Sequence, residues 1–158
     1  MNAFDYLRAA TIDEAIAARD ESGQFLAGGT DLLTLLKHGI AEPSLLIDIK
    51  RSGIDGDISE DGDRRAIGAL ATLASIAAHP LIRERYAALA DAARLAASPQ
   101  IRNRATMGGN LLQRPRCWYY RTPQLHCWLK GGDTCYAREG ENQLHALFDL
   151  SPCVAVHP

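Results

Sequence analysis

Residues 24–49 read QFLAGGTDLLTLLKHGIAEPSLLIDI, and the fold turns on how that stretch is parsed. QFLA is a short apolar run followed at once by two glycines, which predicts a buried strand ending in a turn. DLLTLLKHG has leucines at helical spacing and a glycine at its end, which predicts a helix running to Gly39. SLLIDI is again strand-like. Strand, helix and strand with short connections form a βαβ-like unit over about residues 24–49. In such a unit the glycine turn lies at a strand–helix junction. Glycine there lets backbone N–H groups approach a ligand with no Cβ in the way. A helix start beside it adds free donors and partial positive charge, which suit a pyrophosphate. The plain alternative is a tight turn capped by Thr30 or Asp31. The segment is neither GxGxxG nor a P-loop, since no Lys-Ser/Thr pair follows the glycines.

A second paired glycine comes some eighty residues later, in RNRATMGGNLL at 102–112. Thr106 and Asn110 flank Gly108 and Gly109 and are suited to donate to phosphate or ribose oxygens. Arg102 and Arg104 are as well explained as solvated surface charges. Taken alone this too is a turn, with NLLQ as a strand after it. Two such segments in one short chain point to two backbone cradles for one large anionic ligand.

Outward from these turns, TIDEAIAARDESG opens with a capping box on Thr11 and Glu14, with Gly23 as its predicted stop. Residues 50–65 are rich in Gly and Asp and predict a hairpin or exposed turn between two lobes. RAIGAL is strand-like. Residues 72–97 predict helix with Thr72 as N-cap and a break at Pro80. Residues 114–145 change character: Arg, Trp, Tyr, Gly and Cys dominate, with little periodicity. An irregular stretch of that length calls for something to organise it. PCVAVHP, at the end, reads as the start of another strand.

The totals exclude several classes. The chain has 158 residues, 47% apolar and 23% charged, with a formal charge of -2. No basic face is available for nucleic acid. No apolar run approaches the roughly 20 residues of a membrane span. The first residues lack the basic-then-apolar order of a secretory signal, so the expected compartment is the cytoplasm, or the periplasm through a signal-bearing partner. All four cysteines lie from residue 117 onward, as Cys117-x9-Cys127-x7-Cys135-x17-Cys153. There is no CxxC, so neither a zinc ribbon nor a bacterial ferredoxin pattern is present. Four unrelated buried thiols, a zinc site, two disulfides and an iron–sulfur cluster all stay open on spacing alone. His79, His126, His145 and His157 form no HxxxH or catalytic constellation, His38 sits near a helix end, and no catalytic residue is expected. Trp118, Tyr119 and Tyr120 are candidates for packing or for lining a cofactor.

LAGGTDLL, IGALATLASIAAHPLIRERY and SPQIRNRATMGGNLLQRPRCWYYR together resemble the FAD-binding subunit of the molybdenum hydroxylases, the xanthine dehydrogenase and aldehyde oxidoreductase family. RCWYYR, GGDTCYA and SPCVAVHP resemble its subgroup with an added [4Fe–4S] cluster, found in periplasmic-type aldehyde oxidoreductases. The resemblance implies an α+β, two-lobed FAD-binding fold with the second lobe incomplete. Residues 1–54 would be the N-terminal lobe. Residues 55–158 would be the second, carrying a cysteine-rich insertion at about 114–153. It implies that Leu26, Ala27, Gly28, Gly29, Thr30, Asp31 and Leu32 form the pyrophosphate loop. Asp31 is the least suited of these, being Asn in many relatives, because a carboxylate there repels phosphate unless it points away or caps the helix. Ala105, Thr106, Gly109, Asn110 and Leu112 would form the second loop, along the flavin. Cys117, Cys127, Cys135 and Cys153 would ligate the cluster. The implied partners are a [2Fe–2S] subunit and a molybdopterin catalytic subunit, with a second chain or a longer one completing the FAD domain. The implied role is electron transfer from a partner's oxidation of an aldehyde or heteroaromatic to an external acceptor. The competing expectations are a zinc-stabilised interaction module and a Rossmann-type enzyme. The latter lacks the third glycine and the acidic residue at the usual interval.

Overall fold

The computed structural model describes residues 2–62, 64–148 and 150–156; His157 and Pro158 lie outside them, as does the end of the expected final strand. Strands β1 (Asp5–Arg8), β2 (Gly23–Leu26) and β3 (Leu45–Asp48) form one parallel sheet in the order β1-β3-β2. Helix α1 (Ile12–Ala17) connects β1 to β2, and α2 (Leu32–Lys37) connects β2 to β3. The registers Leu7↔Ile47 and Phe25↔Ile47 place Ile47 at the centre. Ile47, Ala9 and Ala15 form the fully buried core of this sheet layer, with Leu7, Leu45 and Ile49 around it.

The βαβ unit is therefore as expected. Two local expectations shift. Glu14 reaches back to the N–H of Ala10 at 2.7 Å, one residue before the Thr11 cap, while Thr11 accepts from the N–H of Glu14 at 3.0 Å. Gly23 opens β2 rather than closing α1, whose cap is Ala18. Strand β1 has no sequence signal of its own: DYLR is four residues long and mostly exposed, and it is strand because β3 pairs with it.

Strands β4 (Ile58–Asp61) and β5 (Arg64–Ile67) form the antiparallel hairpin expected within the Gly/Asp-rich stretch. Helices α3 (Leu73–Ala78), α4 (Pro80–Arg85) and α5 (Ala87–Leu95) follow. Thr72 caps α3, accepting from the N–H of Ser75 at 3.1 Å, and Pro80 starts α4 as the break predicted. Leu73, Ile76, Ile82, Ala90 and Ala93 bury together, and alanine at the last two lets α5 approach α3 closely. Two short helices end the regular part, α6 (Pro99–Arg102) and α7 (Met107–Leu111). The latter corrects two expectations. Gly108 and Gly109 are not a turn, and NLLQ is not a strand: Thr106 accepts from the N–H of Gly109 at 3.2 Å and starts a helix through both glycines. Glycine is a poor helix former, so this start depends on the Thr106 cap and on the bonds of Met107 and Gly108 to Ala71 and Ala69. From residue 114 onward the described residues hold one element, a 3-10 turn at Trp128–Lys130, and Cys153–Val156 form no strand.

Candidate functional site

The loop Leu26–Leu32 leaves the carboxyl end of β2, the edge at which parallel sheets present ligand sites. All seven of its residues are part-exposed. Gly29 has φ +74, a left-handed conformation that favours glycine. Gly28 has a different requirement. A Cβ at Gly28 would lie 1.9 Å from the carbonyl oxygen of Arg104 and 3.3 Å from Cα of Ala105. The two glycine segments are thus in backbone contact, although nearly eighty residues separate them.

The second segment is fixed from behind. The N–H of Leu73 donates to Ala105 at 2.9 Å, that of Met107 to Ala71 at 2.8 Å, and that of Gly108 to Ala69 at 2.9 Å. Ala105 and Thr106 are buried, Asn110 is part-exposed, Gly109 is exposed, and Leu112 stands 82% exposed. Arg102 is structural: its Nη1 donates to the carbonyls of Ala96 and Ala97, at 2.9 Å each.

Below the first loop sits a charge cluster that sequence reasoning missed. Asp48, in register with Leu26, is buried and accepts from Tyr6 Oη and Lys50 Nζ, the latter at 2.6 Å. Burial by itself would push the Asp48 carboxyl up, but the hydrogen bonds from Lys50 and Tyr6 outweigh it and hold it at about 2. Lys50 Nζ also donates to the carbonyl of Ala27 at 3.2 Å, placing an ammonium at the rim of the glycine loop. The available signal was its position directly after the predicted strand SLLIDI.

Asp31 answers the question its carboxylate raised. It does not cap α2. Its Oδ1 accepts from Arg121 Nη2 at 2.7 Å and its Oδ2 from the N–H of Arg114 at 2.8 Å. Arg121 also donates to the carbonyls of Pro115, at 2.9 Å, and Arg114, at 3.1 Å. The carboxylate is spent on the cysteine-rich segment and ties that segment to the start of α2. One turn further along α2, Leu35 packs with Tyr120 and Cys127.

Cys117, Cys127, Cys135 and Cys153 are all free thiols, and all four line one pocket with Tyr119, Tyr120 and Leu129. The disulfide reading fails for these residues. Neither carboxylate nor imidazole lines this pocket. Burial pushes the Cys153 thiol up, the Ala155 N–H opposes this, and Cys135, Cys117 and Cys127 add to the rise. Among the described residues no three of His, Cys, Asp and Glu are gathered so as to hold a single metal ion. His145 stands beside the set, with Nε2 3.2 Å from Cys117 Sγ and its ring edge-on to Trp118. Trp118 itself packs against Tyr119 and His145.

Residues 2–148 match the family described as the FAD binding domain in molybdopterin dehydrogenase. The chain is 42% identical to the aldehyde oxidoreductase FAD-binding subunit PaoB of Escherichia coli K12, over 100% of this chain and 51% of that one. It is 38% identical to the carbon monoxide dehydrogenase medium chain of Hydrogenophaga pseudoflava, over 68% of this chain and 39% of that one. A solved structure of the Hydrogenophaga pseudoflava carbon monoxide dehydrogenase lacking the Mo-pyranopterin moiety superimposes with a TM-score of 0.67 at 36% identity, covering 70% of this chain and 39% of the other. The chain thus spans between about two fifths and one half of the relatives it matches. No helix among the described residues is long and apolar enough to cross a membrane. With its parallel three-stranded layer, its helical second layer and two glycine segments in contact, the chain belongs to the family of FAD-binding domains of molybdopterin dehydrogenases.

Proposed function

We propose that this chain is the flavin-binding part of an electron-transfer subunit in a molybdenum-containing aldehyde or heteroaromatic oxidoreductase. It carries FAD between its glycine segments and a [4Fe–4S] cluster on Cys117, Cys127, Cys135 and Cys153. Substrate is oxidised on a molybdopterin-bearing partner, a [2Fe–2S] partner relays electrons, and this chain passes them to an external acceptor. FAD supplies the redox chemistry when bound. The chain's own residues orient it: the Leu26–Leu32 backbone receives the pyrophosphate, and Thr106 and Asn110 face the second half of the dinucleotide. The division into lobes at residues 54 and 55 belongs to the same reading.

The observation that carries the cluster is the convergence of four free thiols on one pocket. Thiolate is the ligand of [4Fe–4S] clusters, and four are required. A lone tetrahedral ion draws its sulfurs to about 2.3 Å from one point. Thiols set around a pocket suit a larger group. The match to the Escherichia coli aldehyde oxidoreductase subunit spans the whole chain and so includes this segment.

Iron, acid-labile sulfide, zinc and flavin quantitation on the complex purified without air tests the reading. The expected result is about four iron and four sulfide per chain, with one FAD. One zinc without sulfide sinks the cluster, and an assembled complex without flavin sinks the whole proposal.

A further inference from the structure

His145 lies 28 residues from Cys117 in sequence, yet its Nε2 stands 3.2 Å from Cys117 Sγ. The ring is held on several sides. Trp118 meets it edge-on at 5.1 Å between centroids, Tyr119 lies at 6.3 Å, and the backbone N–H of residue 145 donates to Asn142 at 2.8 Å. Its other nitrogen, Nδ1, is buried with no hydrogen-bond partner. That asymmetry decides the tautomer. A proton on Nδ1 would bury an N–H donor with nothing to receive it, which folded proteins seldom tolerate. A proton on Nε2 gives Cys117 sulfur a donor and leaves at Nδ1 only an unused lone pair.

We infer that His145 is a positioning residue for the iron–sulfur site, donating from Nε2 to Cys117 Sγ and raising the reduction potential of the cluster held there. The inference rests on the four-cysteine reading above. Its physical basis is charge. A reduced cluster holds one more electron, and its thiolate ligands share the added negative charge. A hydrogen bond to one of those sulfurs stabilises the reduced form more than the oxidised one, because the acceptor sulfur carries more negative charge there and a hydrogen bond strengthens with the charge on its acceptor. Hydrogen bonds to the sulfurs are among the determinants of cluster potential. Geometry sets His145 apart from His126: among the described residues no hydrogen bond joins His126 to a cysteine sulfur, whereas His145 is fixed against Cys117 by two aromatic rings.

The test is an EPR-monitored redox titration of the intact complex, comparing the parent with His145→Phe and His145→Gln. Phenylalanine keeps the aromatic packing and removes the donor. Glutamine places an amide N–H at the reach of Nε2. The phenylalanine variant is expected to load iron and titrate at lower potential, with the ratio of reduced to oxidised cluster at a fixed potential falling about tenfold, which for one electron is about 59 mV. The glutamine variant is expected to return most of that shift. A phenylalanine cluster at the parent potential overturns the inference and leaves the cluster itself standing. If the phenylalanine variant fails to load, His145→Leu, which also lacks the donor, is compared with glutamine: a lower potential in leucine than in glutamine supports the donor role, and equal potentials, or failure of both donor-free variants to load, overturn it. Parent complex without iron and labile sulfide is a different failure, that of the four-cysteine reading.

Discussion

The scaffold of residues 5–112 and the cysteine-rich segment from 114 to 156 are held in different ways. The scaffold has two buried cores, one under the parallel sheet and one among α3, α4 and α5. Its glycine segments meet at fixed backbone distances because both are hung on regular elements. The segment has one 3-10 turn and leaves Leu144, Leu147, Phe148 and Leu150 73–96% exposed. Its order comes from a small core in which Tyr120 and Cys127 pack on Leu35, and from side chains reaching to carbonyls: Lys130 to Thr122 at 2.8 Å, Arg121 to Pro115, and Arg138 to Ser151 and Pro152. Apolar burial of this kind cannot offset the backbone entropy of some forty residues at ~1–2 kcal/mol each. A scaffold can stand on its cores, whereas such a segment depends on the Asp31–Arg121 latch, on its small core with Leu35 and, on the proposed reading, on the cluster its thiols would hold.

The contrast can be broken most severely at the thiols. Cys135→Ser or, on the proposed reading, removal of iron from the assembled complex is expected to open the segment to proteolysis by more than tenfold while the helix signal of the scaffold stays. Hydrogen exchange resolved by peptide reads both regions at once, and equal loss of protection in both would refute the division. Gly28→Ala attacks the scaffold instead. A methyl group 1.9 Å from the Arg104 carbonyl forces the glycine segments apart. The expected cost is about 3 kcal/mol or more, with loss of flavin, read by thermal melting and flavin content.

The latch gives the next effect. Arg121→Met leaves the part-buried Asp31 carboxylate with only the Arg114 N–H. Destabilisation of about 2 kcal/mol is expected, short of the fully buried limit because both side chains retain some solvent. A double cycle with Asp31→Asn should show coupling, and strictly additive effects would dismiss the latch. Acid reaches the scaffold through Asp48. Its folded pKa of about 2 lies below an unfolded value of about 3.9, so its stabilisation is complete above pH 4 and is lost as pH falls toward 2. That contribution is on the order of 2 kcal/mol, and Asp48→Asn should flatten the melting temperature between pH 4 and 2 relative to the parent. Smallest is Thr72→Ala, about 1 kcal/mol from loss of the α3 cap, measured by chemical denaturation.

Local chemistry made much of the scaffold legible. The Gly28–Gly29 turn, the α2 leucines, the Thr72 cap and the Pro80 break each act through neighbours in the chain, so their outcome is written within a few residues. The second glycine pair misled for the same reason. Paired glycines favour a turn by propensity, and only the anchoring of Ala105, Met107 and Gly108 to residues 69–73 turned them into a helix start. Propensity is a weak prior where tertiary hydrogen bonds fix the backbone.

The sequence by itself determined the βαβ unit, the presence of four thiols in one irregular stretch, and, through its combined motifs, membership of the FAD-binding family. Only the tertiary structure decided that the two glycine segments touch, that the thiols share one pocket, that Asp31 faces Arg121, and that His145 rather than another histidine meets Cys117. Each of these is a contact between residues 8 to 90 positions apart. No local pattern encodes such a contact, because its geometry is the sum of every packing choice between the two ends.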